Sequence, residues 1–329
     1  MSLSSAPKKT QLVSSEHANS LRTRISAAPS LIVAEAAFDD NDRAEDIHRY
    51  PTSGIVSNAQ NREDVLLWRA LHDLPAGFYI DVGAEDPTKD SVTRAFYERG
   101  WQGINVEPVQ GHFEKLCDER PRDLTLQIAI GDQVGWITLY EIPDTGLSTL
   151  LREVASRHQF EGLSCVERRF PITTLNSIWE DFVKGEVHFL KIDVEGYEAQ
   201  VLRGMALARY RPWIILLVAT EPRSSEETWY QWEDRLLESQ YEFVHFDGLN
   251  RWYLAKERSH LKSRFAAPPN VFDQFELATT VSARDQRAKA EYQLQQMRES
   301  ASWQWTAPLR ALQGFLSGLV AKFRNSGHR

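Results

Sequence analysis

The sequence is poor in cysteine, in long apolar runs, in positive charge and in glycine-rich loops. Each shortage narrows what the chain can be. Only Cys117 and Cys165 occur in 329 residues. Neither sits in a CxxC pair or a Cys/His cluster, so no zinc site is expected. Two isolated cysteines suit a reducing compartment, where both act as buried or idle thiols. No apolar run approaches the roughly 20 residues that cross a bilayer. The opening stretch MSLSSAPKKTQLVSSEHANS has basic residues but no apolar segment behind them, so no secretory signal is read and a cytoplasmic location is expected. Lys and Arg number 38 against 46 Asp and Glu, a formal net charge of −8. A broad nucleic-acid surface is therefore not expected, because phosphate binding needs concentrated cations. Internal repeats are also lacking.

What is there is an alternation. Residues 1–55 are rich in Ser, Ala and charge and read as a disordered segment with a short helix near Ile32 to Phe38. Regular structure begins with NREDVLLWRALHDL, where Val65, Leu66, Trp68 and Leu71 have helical spacing and Asn61 stands ready to cap. Strands are then read at FYIDVG (78–83), GINVEP (103–108), LTLQIAIGD (124–132), WITLYEI (136–142), FPITTL, FLKIDVEG (189–196) and WIILLVATEP (213–222). Helices fall between them: 91–100 closed by Gly100, 112–120, NSIWEDFV, a helix from Tyr197, and one around Thr228 to Ser239. YEFVHFDGLNRWYLAK (241–256) reads as a hairpin about an Asp-Gly turn. Apolar strands alternating with helices predict an α/β fold, a mostly parallel sheet with helices on both faces. The hairpin adds one antiparallel strand near the C-terminal end. Most NAD-binding doubly wound sheets lack that reversal. Rossmann-like class I methyltransferase sheets, which take S-adenosylmethionine (SAM), have it.

The division expected is a core domain over 56–257, a linker over 258–281 marked by a Pro-Pro pair, and a helical extension over 282–329. SARDQRAKAEYQLQQMRES is a polar helix with a thin seam of Ala290, Leu294 and Met297. TAPLRALQGFLSGLVAKFRN places Leu309, Leu312, Phe315, Leu316, Leu319, Val320 and Phe323 on one face, with Arg310, Lys322 and Arg324 outside it. That helix suits docking on its own domain or a partner protomer, or lying on a membrane surface or a membrane-linked enzyme.

Ligands of an open parallel sheet bind beyond the carboxyl ends of the strands, where strand order reverses. The residues there are Asp81-Val82-Gly83-Ala84, Glu107-Pro108, Ala129-Ile130-Gly131-Asp132, Asp193-Val194-Glu195-Gly196 and Thr220-Glu221-Pro222, and every group holds an acid. Gly83 lets backbone come close to a ligand. The turn DVGAEDP is not GxGxxG, so the pyrophosphate cradle of NAD, FAD or ATP sites is missing. SAM carries no phosphate, and acids suit its positive charge. Glu107 can accept hydrogen bonds from both hydroxyls of a ribose. Asp193 can bind the SAM amino group, take a proton from a substrate hydroxyl, or hold a divalent cation such as Mg²⁺ with Glu221 or Asp247. Glu195 reads as an acid favoured by a helix N-terminus. His245 reads as a core histidine, and Arg157 with His158 as an exposed surface pair.

In order, the pieces AQNREDVLLWRAL, GFYIDVGAEDPTKDSVTRAFYERGW, GINVEP, AIGD, LKIDVEGYEAQVLRG, ATEP and FDGLNRWYLA resemble the FkbM family of SAM-dependent methyltransferases, over about residues 57 to 256. LKIDVEGYE with its trailing Leu-x-Gly is the most specific piece. The resemblance implies SAM as methyl donor and O-methylation of a hydroxyl, often on a sugar or polyketide-like product. It also implies that Asp81, Gly83, Ala84 and Pro108 line the donor pocket, that Glu107 takes the ribose, and that Ile130 or its neighbours border the adenine. Asp193 would face the reacting centre, with Glu221 beside it as a second candidate catalytic acid. Gln60, Asn61, Glu63 and Asp64 belong to the first piece, and Asn61 and Glu63 join the candidate pocket residues. Glu85 departs from the family, which commonly has Asn there. SASWQWTAPLRAL is similar to tails on proteins of bacterial surface-polysaccharide assembly. A glycan acceptor is expected on that ground, with residues 306–324 as a possible contact to such an assembly or to a second protomer. Two rivals are a nicotinamide-dependent sugar oxidoreductase and a non-catalytic interaction protein on the same fold.

Overall fold

Strands buried on both faces need side chains that are apolar or, like Asp81, paired, and the stretch Phe78–Val82 is buried throughout. The computed structural model describes residues 54–143 and 145–309, together with Val33, Ala34 and Gln313. Its strands are β1 (Val33–Ala34), β2 (Val56–Ser57), β3 (Phe78–Val82), β4 (Gln102–Val106), β5 (Leu124–Leu126), β6 (Ala129–Gly131), β7 (Gly135–Glu141), β8 (Val166–Thr174), β9 (Phe189–Ile192), β10 (Ile214–Val218), β11 (Tyr241–Phe246) and β12 (Asn250–Ala255). The helices among them are α1 (Glu63–Leu71), α2 (Arg94–Tyr97), α3 (Gln110–Glu119), α4 (Arg152–Phe160), α5 (Leu175–Phe182), α6 (Glu198–Arg203) and α7 (Glu233–Glu238).

The main sheet has the order β1-β5-β4-β3-β9-β10-β12-β11. The five strands β5, β4, β3, β9 and β10 run parallel. β12 runs antiparallel to both β10 and β11, which supplies the expected reversal. Successive side chains of a strand face opposite ways, so β3 feeds two cores. Phe78, Ile80 and Val82 join Ile104, Leu190 and Ile215 on one face. Tyr79 joins Phe189, Ile214, Trp252 and residues of α1 on the other. The chain runs from β3 outward through β4 to β5 and then returns to β9 on the far side of β3. Strand order therefore reverses between β3 and β9, and a crevice opens at their carboxyl ends.

Several expectations need correcting. The run 124–132 is two strands: β5 stays in the main sheet, while β6 leaves for a small sheet of order β6-β8-β7. The parallel pairing of β5 ends where β4 ends, at Val106↔Leu126, which frees the chain to turn. Asn61 does not cap α1. Arg62 holds that position in a left-handed conformation, with no side-chain cap. At Val33–Ala34 the chain pairs as a strand against β5 rather than forming a helix. The rest of the 1–53 expectation lies outside the described residues.

Contacts divide the chain between Phe275 and Glu276. The segment from 258, read as a linker, packs into the first unit as far as that boundary: Leu261 and Phe265 are buried beside Leu66 and Trp252, and Arg69 clamps Asp273 through two hydrogen bonds. The second unit contains helices α8 (Ala278–Glu299), in which no residue is buried, and α9 (Ala301–Trp305). The amphipathic helix expected over 306–324 lies outside the described residues beyond Leu309, apart from Gln313. Among the described residues no helix is long and apolar enough to cross a membrane.

Candidate active site

The crevice holds a cavity of about 260 Å³. Its floor is the end of β3. Gly83 has φ +79, and a Cβ placed there would fall 1.8 Å from the carbonyl oxygen of Asp193. Only glycine lets β3 and β9 end this close together. Glu107, at the end of β4, is 5 % exposed. Its two oxygens accept the Val109 and Glu85 N–H groups at 2.8 and 2.9 Å, so it pins both flanking loops. Each oxygen keeps a further lone pair for a ligand. Burial pushes its carboxyl up to about 7. Val106, Val109, Ile128, Ile130, Leu139 and Leu150 form an apolar side, while Glu85, Glu107, Asp193 and Glu195 form an acidic one.

One cation organises the acidic side. Lys191 interrupts the apolar run of β9 and stands in register opposite Asp81. Its ammonium lies 3.2 Å from Asp81 and 3.5 Å from Asp193, and it donates to the Gly83 carbonyl at 2.9 Å. Burial acts against its charge, but Asp81 and Asp193 more than offset that and hold its pKa above the usual lysine range. Asp81 is 1 % exposed and accepts the Thr93 hydroxyl, which in turn accepts from the buried Arg120. The mouth of the site is thereby tied to a buried polar network beneath it.

A second, open cleft of about 350 Å³ adjoins the cavity and shares Gln60, Leu147, Asp193 and Glu195 with it. Its far wall is the loop Thr220 to Ser225. Glu221 there pairs with Arg157 of α4, and Arg223 of the same loop pairs with Glu161 at the end of that helix. The two ion pairs bind α4 to the loop at the rim. Arg157 and His158 are thus not an exposed pair: Arg157 is half exposed and engaged, and His158 is 3 % exposed.

Of the residues expected at the donor pocket, Gly83, Glu107, Pro108, Ile130 and Asp193 line the cavity. Four others do not reach its wall, for identifiable reasons. The Ala84 N–H bonds the Val106 carbonyl, and Asp81 is taken by Lys191 beneath the floor. The Asn61 amide donates to Asp247. Glu63 accepts from the Asn61 N–H and the Asn250 amide, and burial raises it to about 7. Gln60 is the member of that sequence piece at the cavity. Asp247 does not join Asp193 and Glu221. Its oxygens accept from Asn61, Leu249, Asn250 and Trp252 and so close the β11–β12 turn. Among the described residues no group of three or more His, Cys, Asp or Glu is placed to hold a metal ion. His245 lies in β11 with its ring steeply inclined to that of Trp252. Both thiols are free, and burial lifts Cys117 to about 11, far from a reactive thiolate.

Sequence reasoning missed Lys191, His112 and the Thr145–Ser148 loop. Lys191 left a signal, a lone lysine inside a strand buried on both faces, which must find a counter-charge. The other two left none, since only the fold brings α3 and the loop after β7 to the cavity. A comparison with curated proteins gave no match. Against protein families, the methyltransferase FkbM domain matches residues 81–245.

Proposed function

The chain belongs to the FkbM methyltransferase family, and from that premise we propose that it moves a methyl group from SAM to a hydroxyl oxygen of a polar acceptor, with a glycan as the acceptor class. The strand order β5-β4-β3-β9-β10-β12-β11 with β12 reversed supports reading the sheet as the Rossmann-like class I type. The observation that carries the proposal is the meeting of two cavities at one pair of acids: the crevice cavity and the adjoining cleft share Asp193 and Glu195.

The residues of the crevice cavity fit SAM. The apolar side suits an adenine ring, and the Glu107 lone pairs suit a diol. The acids suit a positive sulfur and ammonium. The floor offers Gly83 backbone where a Cβ has no room. SAM supplies a methyl already activated by positive sulfur. The protein then has to align the acceptor oxygen, exclude water and manage one proton. Alignment alone is worth up to roughly 7–11 kcal/mol in the best intramolecular cases. Lys191 fixes Asp193 at the junction by its ion pair. Gln60, Thr220, Glu221, Arg223, Ser224 and Ser225 offer the cleft side a set of donors and acceptors suited to a polyhydroxylated molecule.

The test is thermal shift followed by transfer. S-adenosylhomocysteine (SAH) should raise the melting temperature, and NADH should not. SAM labelled at the methyl should then label hydroxyls in a panel of oligosaccharides. Stabilisation by NADH without any by SAH would overturn the proposal.

A further inference from the structure

Glu195 stands where the backbone favours glycine. Its φ is +52, in the left-handed region that residues with a Cβ avoid. The conformation is held from outside by Thr149, whose hydroxyl donates to the Glu195 carbonyl at 2.8 Å. Backbone held in such a region is characteristic of functional sites. Glu195 lines both the crevice cavity and the adjoining cleft. Among the described residues no hydrogen bond or ion pair reaches its carboxyl group.

The charges around it explain why that matters. Asp193 comes from the end of β9, Glu85 from the loop after β3 and Glu198 from α6, and the nearby cation is Lys191 of β9. Lys191 is already shared between Asp81 and Asp193. On the cleft side Arg157 is engaged by Glu221 and Arg223 by Glu161. An ionised Glu195 therefore has three like charges for neighbours and no counter-charge of its own. Burial first, and these carboxylates second, push its carboxyl up to about 9. Asp193, by contrast, has a counter-charge beside it, the Lys191 ammonium at 3.5 Å.

Building on the donor reading above, we infer that Glu195 is the proton acceptor of the reaction: it holds a proton until the cationic donor binds, releases it to solvent as the sulfonium arrives, and then takes the acceptor's hydroxyl proton. In the transfer the hydroxyl oxygen bonds to the methyl carbon. The carbon–sulfur bond breaks with its electron pair left on sulfur, and the hydroxyl proton passes to a Glu195 carboxylate oxygen. The remaining thioether is neutral, so the proton stays on Glu195 until the next donor displaces it. One proton is thereby released per turnover, at donor binding rather than at chemistry.

The prediction needs no knowledge of the acceptor. Calorimetry of SAM binding to the full chain at about pH 7.5 is run in phosphate and in Tris, whose ionisation heats differ, so that the difference counts protons released. SAM should release close to one proton and SAH far less. Glu195→Gln should bind SAM with heats that no longer depend on the buffer. Glu195→Gly, which the backbone favours, should lose the proton release while gaining thermal stability, and so guards against misfolding of the first variant. Equal proton release with SAM and SAH, or release that persists in both variants, overturns the assignment while leaving the donor reading intact. Absence of heat with either compound overturns the donor reading and this inference with it.

Discussion

Lys191 is the residue on which the site's electrostatics turn. Its side chain is only 11 % exposed, and among the described residues no other cation forms an ion pair with Asp81 beneath it. Breaking a buried pair by removing one partner typically costs about 3–5 kcal/mol. Lys191→Met should therefore destabilise the protein by about that amount in urea titration and abolish SAH-dependent stabilisation. A loss below about 1 kcal/mol would show that Asp81 finds its charge balance elsewhere. The acids of the site were legible as residue types at strand ends, because a carboxylate after an apolar run marks the end of a buried strand. Their division of labour was not. Glu195 reads in sequence as a helix-start acid, yet its left-handed backbone turns it toward both cavities. Asp81 and Asp193 look alike on paper, and only the register Asp81↔Lys191 separates a buried counter-ion from an acid at the mouth.

Helix α4 and the loop 221–225 meet through Arg157–Glu221 and Arg223–Glu161. These side chains are about a quarter to a half exposed, and exposed ion pairs are worth roughly 0–1 kcal/mol. They position a boundary of the cleft rather than stabilise the fold. The double variant Arg157→Ala/Arg223→Ala should leave the melting temperature nearly unchanged while speeding amide exchange across 152–161 and 221–226. Added salt should have the same effect on the unmodified chain. Unchanged exchange in the variant would mean that apolar packing alone holds α4 in place. None of this was visible in sequence, since the partners lie 64 and 62 positions apart. Apolar periodicity located the strands and the hairpin well. It failed where pairing partners decide, as at the break between β5 and β6. It also failed where composition misled: the Pro-Pro stretch looked like a linker although Leu261 and Phe265 next to it are core.

At the scale of the whole molecule, buried acids set the response to pH. Burial raises Glu63, Glu107 and Glu198 from 4.5 to about 7, Asp64 from 3.8 to about 6, and Glu195 from 4.5 to about 9. The folded chain holds these protons at pH values where the unfolded chain has lost them. Their contribution is complete below the ordinary carboxyl range and is lost as pH rises through the folded values. His188 works in the other direction. Its Nδ1 accepts the Phe78 N–H, burial lowers it from 6.5 to about 4, and stability is lost as pH falls between those values. Burial likewise raises Glu85 and Asp123 and lowers His158 and His245; the raised carboxyls outnumber the lowered imidazoles, so the melting temperature should fall from pH 5 to pH 8, by roughly 2–4 °C for each kcal/mol. A further loss above pH 8 should be present in the native chain and missing in Glu195→Gln. A flat profile from pH 5 to 8 would show that solvent reaches these groups. The departure of β6 from the main sheet has a consequence for descent. Ala129, Ile130 and Leu139, which line the cavity, belong to the separate three-stranded sheet, and Thr145–Ser148 and Leu150 follow its strand β7. No strand of the main sheet runs through this part of the wall, so an insertion or deletion there can reshape the cavity without rewriting the order of the strands below.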